Sequence, residues 1–337
     1  MNQHVTIRDV AAAAGFSVNT VSRALNDKPD VSPETKARVL EAARRLGYRP
    51  NKLARGLRSN KTQTIGVIVA DIANPFFGAV VKGVAQAARE QNWSIILGNA
   101  DEDYEREEEA VQVMLAEQVE GLLITPCQKE RGTIEELQES GIPFVLLGRC
   151  FDDLPTDYVM PDEAQGGFLI TKHLLELGHT RIAMINAPLY ISSAQKRLEG
   201  YKRALAQYGV DIDESLITSQ ALTVEDGYNI AKRLLRRTPL PTAVFAYSDF
   251  VAFGVMKAIR EAGLSIPHDI AVAGFDDVEF ASCLEVPLTT IRAPKEKMGR
   301  EATKLLLEKI ENHHQRVRKE IKLEVKLIVR QSTNTRG

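Results

Sequence analysis

The run Ser17-Val18-Asn19-Thr20-Val21-Ser22-Arg23 places three hydroxyls, a carboxamide and a guanidinium within two helical turns. Hydroxyls and backbone N–H groups at the start of a helix favour phosphate, because the aligned peptide dipoles leave partial positive charge there. Asn19 carries the paired donor and acceptor needed to read adenine, and Val18 presents methyls to a thymine methyl. Arg23 has the fork for guanine N7/O6 or for a phosphate. On this reading Ser17 and Thr20 position the helix and do not specify sequence. The bland alternative for Asn19 is a solvated surface residue. A second set lies further along the chain: Asp71 with Phe76 and Phe77, Arg149, Arg197, Ser248-Asp249 and Asp276-Asp277. Carboxylates accept, a guanidinium donates in a fixed geometry, and aromatic rings stack on the face of a sugar or base. The set therefore suits a polyhydroxylated small molecule.

No constellation suits catalysis. The chain has no G-x-x-x-x-G-K-[ST], no G-x-G-x-x-G after the first strand, no H-E-x-x-H and no G-x-S-x-G. Its 6 histidines form no ligand pair at helical spacing, since adjacent His313 and His314 point to different faces. The 3 cysteines, Cys127, Cys150 and Cys283, are widely spaced and odd in number, which excludes a disulfide framework and a Cys-x-x-Cys metal clip. They read as reduced, mostly buried thiols. No enzymatic activity, catalytic residue, metal or cofactor is expected.

The elements that must hold the first set begin at Thr6, a cap for a helix over 7–13 with Asp9 three residues on. Gly15 allows a tight turn. Ser17 opens a second helix with Val21 and Leu25 on one face, and Ser32-Pro33 opens a third with Val39, Ala43 and Leu46 inward and Gly47 as C-cap. Two helices joined by a glycine turn, with a third in support, make a helix-turn-helix. Charge agrees. Residues 1–62 carry 12 Lys and Arg against 5 Asp and Glu, +7, within a chain whose net charge is -2, so the other 275 residues carry -9. A basic head on an acidic body suits a polyanion, although a merely soluble basic domain fits the charge equally well.

VTIRDVAAAAGFSVNTVSRALND followed by VSPETKARVLEAARRLGYRPNKLARGL resembles the DNA-binding head of the lactose/galactose repressor (LacI/GalR) family over more than fifty positions. The resemblance implies base contacts at Val18, Asn19 and Arg23, within a DNA-binding set of Thr6, Ser17, Thr20, Ser22, Asn26, Asn51, Ala54, Leu57 and Arg58. Residues 52–58 span about two turns and include Gly56, so alone in water they should not form a stable helix. By resemblance this hinge becomes helical on DNA, pairs with its twin in a dimer, and inserts Leu57 into the minor groove. A leucine wedge that kinks the duplex is a known device, and an ordinary linker leucine is the alternative.

Beyond Thr64, apolar runs alternate with helical patterns every 25 to 30 residues or so, the signature of parallel sheets built from βαβ units. Strands are expected at 65–69, 93–97, 121–124, 144–147, 181–185, 243–246 and 270–273. Helices fit between most of them, for instance at 79–90, 107–117, 166–177, 198–208 and 227–235. That is too many strands for one sheet, so two doubly wound lobes follow. IGVIVADIANPFF, ELGHTRIAMI, RLEGYKRAL, VFAYSDFVAFG and IAVAGFDDVEFA resemble the family's effector-binding core, itself similar to periplasmic sugar-binding proteins. The expected fold is thus a three-helix helix-turn-helix head plus a two-lobed periplasmic-binding-protein-like α/β core. The head spans 1–49 and the hinge 50–62. One lobe is 63–161 with 291–326, the other 162–290 with 327–337, and the chain crosses near 160–162, 289–293 and 326–327.

Open parallel sheets bind ligands beyond the carboxyl ends of their strands, where Asp71, Phe76, Phe77, Arg149, Arg197, Ser248 and Asp276 fall. By resemblance Arg197 and Asp276 anchor an effector and Phe76, Phe77, Leu222 and Ser248 line its walls. Helix N-capping is the favoured alternative for Asp249 and for one of Asp276 and Asp277, and a core role is the alternative for Phe76 and Phe77. Where many relatives carry an acid after the fourth strand, this chain has Gly148 beside Arg149.

The 337 residues, 44% hydrophobic and 26% charged, fit two or three globular domains at roughly 150 residues each. No apolar run approaches the roughly 18 residues that cross a bilayer, and MNQHVTIRDVAAAAG has no basic region before its short apolar stretch, so a cytoplasmic protein is expected. The implied function is a dimeric, sequence-specific transcription regulator, a repressor by resemblance. It would bind a pseudo-palindromic double-stranded operator under control of a small-molecule effector, with sugar, sugar acid and purine all open and a sugar or sugar derivative favoured by Asp and Arg together. The alternative is a sugar-binding protein with no transcriptional role. EIKLEVKLIVRQSTNTRG alternates like a strand and then turns polar without a leucine heptad, which makes a homodimer the default.

Overall fold

The computed structural model describes residues 5–48, 62–312 and 318–334. Two compact units result, one through Thr62 and one from Gln63 onward. In the first, α1 (Ile7–Ala14) starts where Thr6 donates its backbone N–H and its hydroxyl to the Asp9 carboxylate, each at 2.7 Å, and it ends at Gly15 with φ 73°. Ser17 caps α2 (Val18–Leu25) by accepting from the Thr20 N–H at 3.1 Å. Ser32 caps α3 (Pro33–Arg45) the same way from Thr35 at 3.2 Å. Val10, Val21 and Val39, one from each helix, are fully buried, and alanines fill the space between them, so the helices approach closely. The cap of α3 is Leu46. Gly47, at φ 64°, stands one residue beyond the place expected for it, where the left-handed exit is needed.

In chain order the second unit comprises β1 (Thr64–Val69), α4 (Pro75–Glu90), β2 (Ser94–Asn99), α5 (Tyr104–Ala116), β3 (Leu122–Ile124), α6 (Gly132–Ser140), β4 (Phe144–Leu147), β5 (Tyr158–Pro161), α7 (Glu163–Glu176), β6 (Ile182–Asn186), α8 (Ser192–Gln207), β7 (Ile217–Ser219), α9 (Val224–Leu234), β8 (Ala243–Ala246), α10 (Asp249–Glu261), β9 (Ala271–Ala273), β10 (Thr290–Arg292), α11 (Lys295–Glu311), β11 (Glu320–Leu323) and β12 (Lys326–Ile328). One sheet has the order β11-β5-β4-β3-β1-β2 and another β7-β6-β8-β9, both wholly parallel. β10 and β12 form a separate antiparallel pair. The chain leaves the larger sheet after β5 and returns to it through α11, which packs on α4 and on β3, β4 and β5. β11 then extends that sheet and β12 departs again.

The strands are buried on both faces, as parallel sheets covered by helices require: β3, β4, β5, β6, β8 and β9 contain no exposed residue. Three helix pairs use one device to sit close. A Cβ on Gly83 of α4 would come within 2.1 Å of the Glu296 carbonyl oxygen, and one on Gly299 of α11 within 2.2 Å of that of Val80. Gly167 of α7 and Gly200 of α8 face the carbonyls of Arg197 and Ala164 at 2.3 and 2.1 Å, and Gly227 and Gly254 lock α9 to α10 in the same reciprocal way.

Several helices begin earlier than their apolar periodicity. α4, α5, α7, α8 and α9 start three to six residues before the expected 79, 107, 166, 198 and 227. The first turns of α4, α7, α8 and α9 carry Phe76, Glu163, Ser193 and Asp226, all of which line one cavity, whereas that of α5 contributes no lining residue. β5 and β7 were not among the expected strands. β5 is short and ends in Pro161, and β7 is a half-buried three-residue edge strand. The supposed polar tail is also different. Ser332 and Thr333 are buried, with Ser332 exchanging backbone and side-chain bonds with Val272, Pro287 and Thr289 at the edge of the smaller sheet. Of the cysteines, Cys127 and Cys150 are buried and Cys283 is exposed.

Candidate functional site

On the head, the first turn of α2 presents Ser17, Val18 and Asn19 to solvent, with Val18 41% exposed and Thr20 and Ser22 half-buried. Thr6 is exposed at the start of α1. The Ser17 hydroxyl caps the helix and lies 2.9 Å from that of Thr20, so the helix opening is internally bonded. Arg23 is not a free fork. Its Nε and Nη2 both meet the Asp30 carboxylate, at 2.7 and 2.5 Å. Both partners are well exposed, so the pair is solvated and can exchange for another anion. Asn26 Nδ2 donates to the Ser22 carbonyl at 2.7 Å. Asn51, Ala54, Leu57 and Arg58 lie outside the described residues.

In the second unit, the carboxyl ends of strands from both parallel sheets enclose a cavity of about 290 Å³. Asp71, Phe76, Phe77, Arg149, Arg197, Leu222, Ser248 and Asp276, all nominated from sequence, line it. At its floor the Arg197 guanidinium, in the second turn of α8, lies 3.6 Å over the Phe275 ring and 4.4 Å over that of Tyr247. Its Nε donates to Glu163 Oε2 at 2.6 Å, Nη1 donates to the Tyr247 carbonyl, and Nη2 lies 3.7 Å from Asp276 Oδ1. Burial pushes the Glu163 carboxyl up against the opposing pull of Arg197. Burial likewise raises Asp276 to about 7, opposed by Arg197 and Lys295. The Asp276 carboxylate accepts no hydrogen bond among the described residues. It sits on a left-handed backbone, φ 113°, with its carbonyl held by the Lys295 ammonium. A non-glycine residue held there costs about 1–3 kcal/mol, a strain that the surrounding bonds must offset.

Arg149, after β4, is 4% exposed and held on both sides. Glu102 takes it in a two-pronged pair at 2.8 and 2.5 Å, and Nη1 also donates to the Pro126 carbonyl at 2.8 Å. Glu102 follows β2 with Asp101, both on left-handed backbone (φ 56° and 51°). Phe76 and Phe77 meet edge to face, centroids 5.1 Å apart, and are 8% and 7% exposed, so they serve core and wall together. The lining contains six carboxylates (Asp71, Asp101, Glu102, Glu163, Asp226, Asp276) and two guanidiniums, those of Arg149 and Arg197.

The capping alternatives do not hold. Ser248 caps α10 by accepting from Val251 at 3.2 Å, while Asp249 is wholly buried, taking the Thr290 hydroxyl at 2.5 Å and the Val278 N–H at 2.8 Å. Neither Asp276 nor Asp277 caps a helix. Asp277 turns away from the cavity to bond Arg292 and Arg330, at 2.6 and 2.5 Å. Sequence reasoning missed Glu102 and Glu163, the partners of both arginines. Each follows a strand end, so the same rule that found Asp71 reaches them once β5 and the full length of β2 are known. No group of three or more His, Cys, Asp or Glu among the described residues is placed to hold a metal ion.

Residues 6–51 match the model for bacterial regulatory proteins of the lacI family, and residues 62–331 match that for periplasmic binding proteins and the sugar-binding domain of the LacI family. The ribose operon repressor of Haemophilus influenzae is 35% identical over 97% of this chain and 98% of its own. Among solved structures, the lac repressor dimer bound to operator and the anti-inducer ONPF is similar with a TM-score of 0.87 and 30% identity, over 98% of this chain and 99% of that one. A LacI family regulator from Enterococcus faecium with bound ribose gives 0.70 and 34%, over 80% and 98%.

Proposed function

This chain belongs to the LacI family of bacterial regulatory proteins, and on that premise we propose that it is a homodimeric repressor whose grip on a pseudo-palindromic operator is set by a polyhydroxylated effector, a sugar or sugar derivative, in the enclosed cavity. It acts in the cytoplasm, where the chromosome is. The observation that carries the reading is the union in one chain of an exposed first turn on α2, with Ser17, Val18 and Asn19, and a cavity floored by Arg197 and Asp276. Ser17 and Thr20 meet phosphate, and Val18, Asn19 and Arg23 read bases, Arg23 exchanging Asp30 for DNA. The hinge residues Asn51, Ala54, Leu57 and Arg58 complete the interface by folding on the duplex.

Two copies are needed because one helix-turn-helix covers only a half-site. An apolar groove of about 360 Å³ on α10, lined in part by Phe253, Met256, Leu284 and Val286, supports a self-association face there. The effector acts by binding two arrangements of the lobes, 63–161 with 291–326 and 162–290 with 327–337, unequally. The test is selection from a random duplex pool by the purified chain. It should enrich a two-fold symmetric sequence whose affinity falls by roughly 10³ or more between 50 and 200 mM salt. A chain that prefers no duplex, with or without metabolites, is not this regulator.

A further inference from the structure

Two arginines in a ligand cavity ordinarily suggest an anion receptor, since a guanidinium fork matches phosphate and carboxylate alike. Here both guanidiniums are already engaged by the protein's own acceptors, that of Arg149 by a carboxylate and that of Arg197 by a carboxylate and a backbone carbonyl. Glu102 takes Nη1 and Nη2 of Arg149, and Glu163 takes Nε of Arg197, whose Nη1 goes to the Tyr247 carbonyl. The lining as a whole sets six carboxylates against these two cations, a formal excess of four negative charges. The nearby Lys295 ammonium is spent on the carbonyls of Asp276 and Asp277 and does not line the cavity. What keeps spare acceptor capacity is the Asp276 carboxylate, 4% exposed, with Arg197 Nη2 at 3.7 Å and no hydrogen-bond donor among the described residues. In its ionised form Asp276 can take that bond from a hydroxyl or an amine but not from a phosphate dianion or a carboxylate, which would enter a space of its own sign.

We propose that the cavity selects an uncharged polyhydroxylated ligand, offering hydroxyl donors to Asp276, and rejects its phosphorylated or carboxylated counterpart, with Glu102 setting this preference by locking Arg149. The inference rests on the reading of the cavity as the effector site. Specificity here is achieved by occupying the anion-binding groups in advance, so that an anionic competitor at Arg149 must first displace a part-buried, two-pronged ion pair.

Matched pairs test it on the full unaltered chain: ribose with ribose 5-phosphate, glucose with glucose 6-phosphate, and glucose with gluconate, followed by thermal shift and calorimetry. In any pair that binds, the anionic member should be weaker by about a hundredfold or more. Glu102→Gln frees Arg149, so it should narrow that gap by about tenfold and confer stabilisation by inorganic phosphate that the parent lacks. If this variant does not fold, the pairs still decide on the parent. An anionic member binding as tightly as its uncharged partner overturns the proposal while leaving the effector reading intact. Silence from every member, charged and uncharged, counts against the effector site itself and removes the proposal with it.

Discussion

Arg197 connects three features of the cavity: a buried acid, an aromatic floor and the Asp276 carboxylate. Glu163 is 2% exposed and has Arg197 as its cationic partner, so Arg197→Ala leaves an uncompensated buried charge. That should cost about 3–5 kcal/mol of stability, visible as a lower denaturant midpoint, and should abolish response to effector. The double change Arg197→Met with Glu163→Gln should restore most of the midpoint without restoring the response, which separates folding from recognition. Asp276 gives a pH signature. Its folded carboxyl holds a proton to about 7 whereas the unfolded one releases it near 3.8, so this group's contribution to stability is present at low pH and declines between about 4 and 7. Facing it are Arg197 and Lys295, which favour ionisation, and Glu163 and Asp249, which oppose it. A hydroxyl donating to the carboxylate favours the ionised form, so ligand affinity should rise from about pH 6 to 8 and then level off. Asp276→Asn should flatten that profile in calorimetric titrations.

Helix α8 is placed by α7 through Gly167, whose missing side chain leaves only 2.3 Å between a built Cβ and the Arg197 carbonyl oxygen. Gly167→Ala must therefore push back the backbone that carries Arg197. We expect a stability loss of about 1–3 kcal/mol together with weaker ligand binding, read by melting and titration on the same sample. Such close approaches were not legible in the sequence, where a helical glycine reads only as a weak helix former. Much else was. The three head helices followed from Thr6, Ser17 and Ser32 as caps, and the central strands from uninterrupted apolar runs. The starts of α7, α8 and α9 were hidden because their first turns contribute to the cavity lining and lack the apolar spacing that marks a sheet-packed face. Glu102 escaped for a related reason: its partner Arg149 is 47 residues away, a pairing no local pattern encodes.

Across the whole molecule, the charge split and the apolar groove bear on assembly. Phe253 and Leu284 line the groove on α10, so Phe253→Glu with Leu284→Glu should yield a monomer in sedimentation and weaken operator binding more than isolated half-site binding. A dimer persisting through both changes would relocate the interface. One feature of the carboxyl end matters for anyone handling the protein. Ser332 lies against Val272 like an added edge strand, its hydroxyl taking the Thr289 N–H at 2.8 Å, and the Thr333 hydroxyl reaches both His173 and Thr289. These two small residues act as a rivet, so trimming the chain before Ser332 should leave the smaller sheet with raw backbone at its margin and a product prone to proteolysis, whereas an affinity tag attached past Asn334 should be harmless.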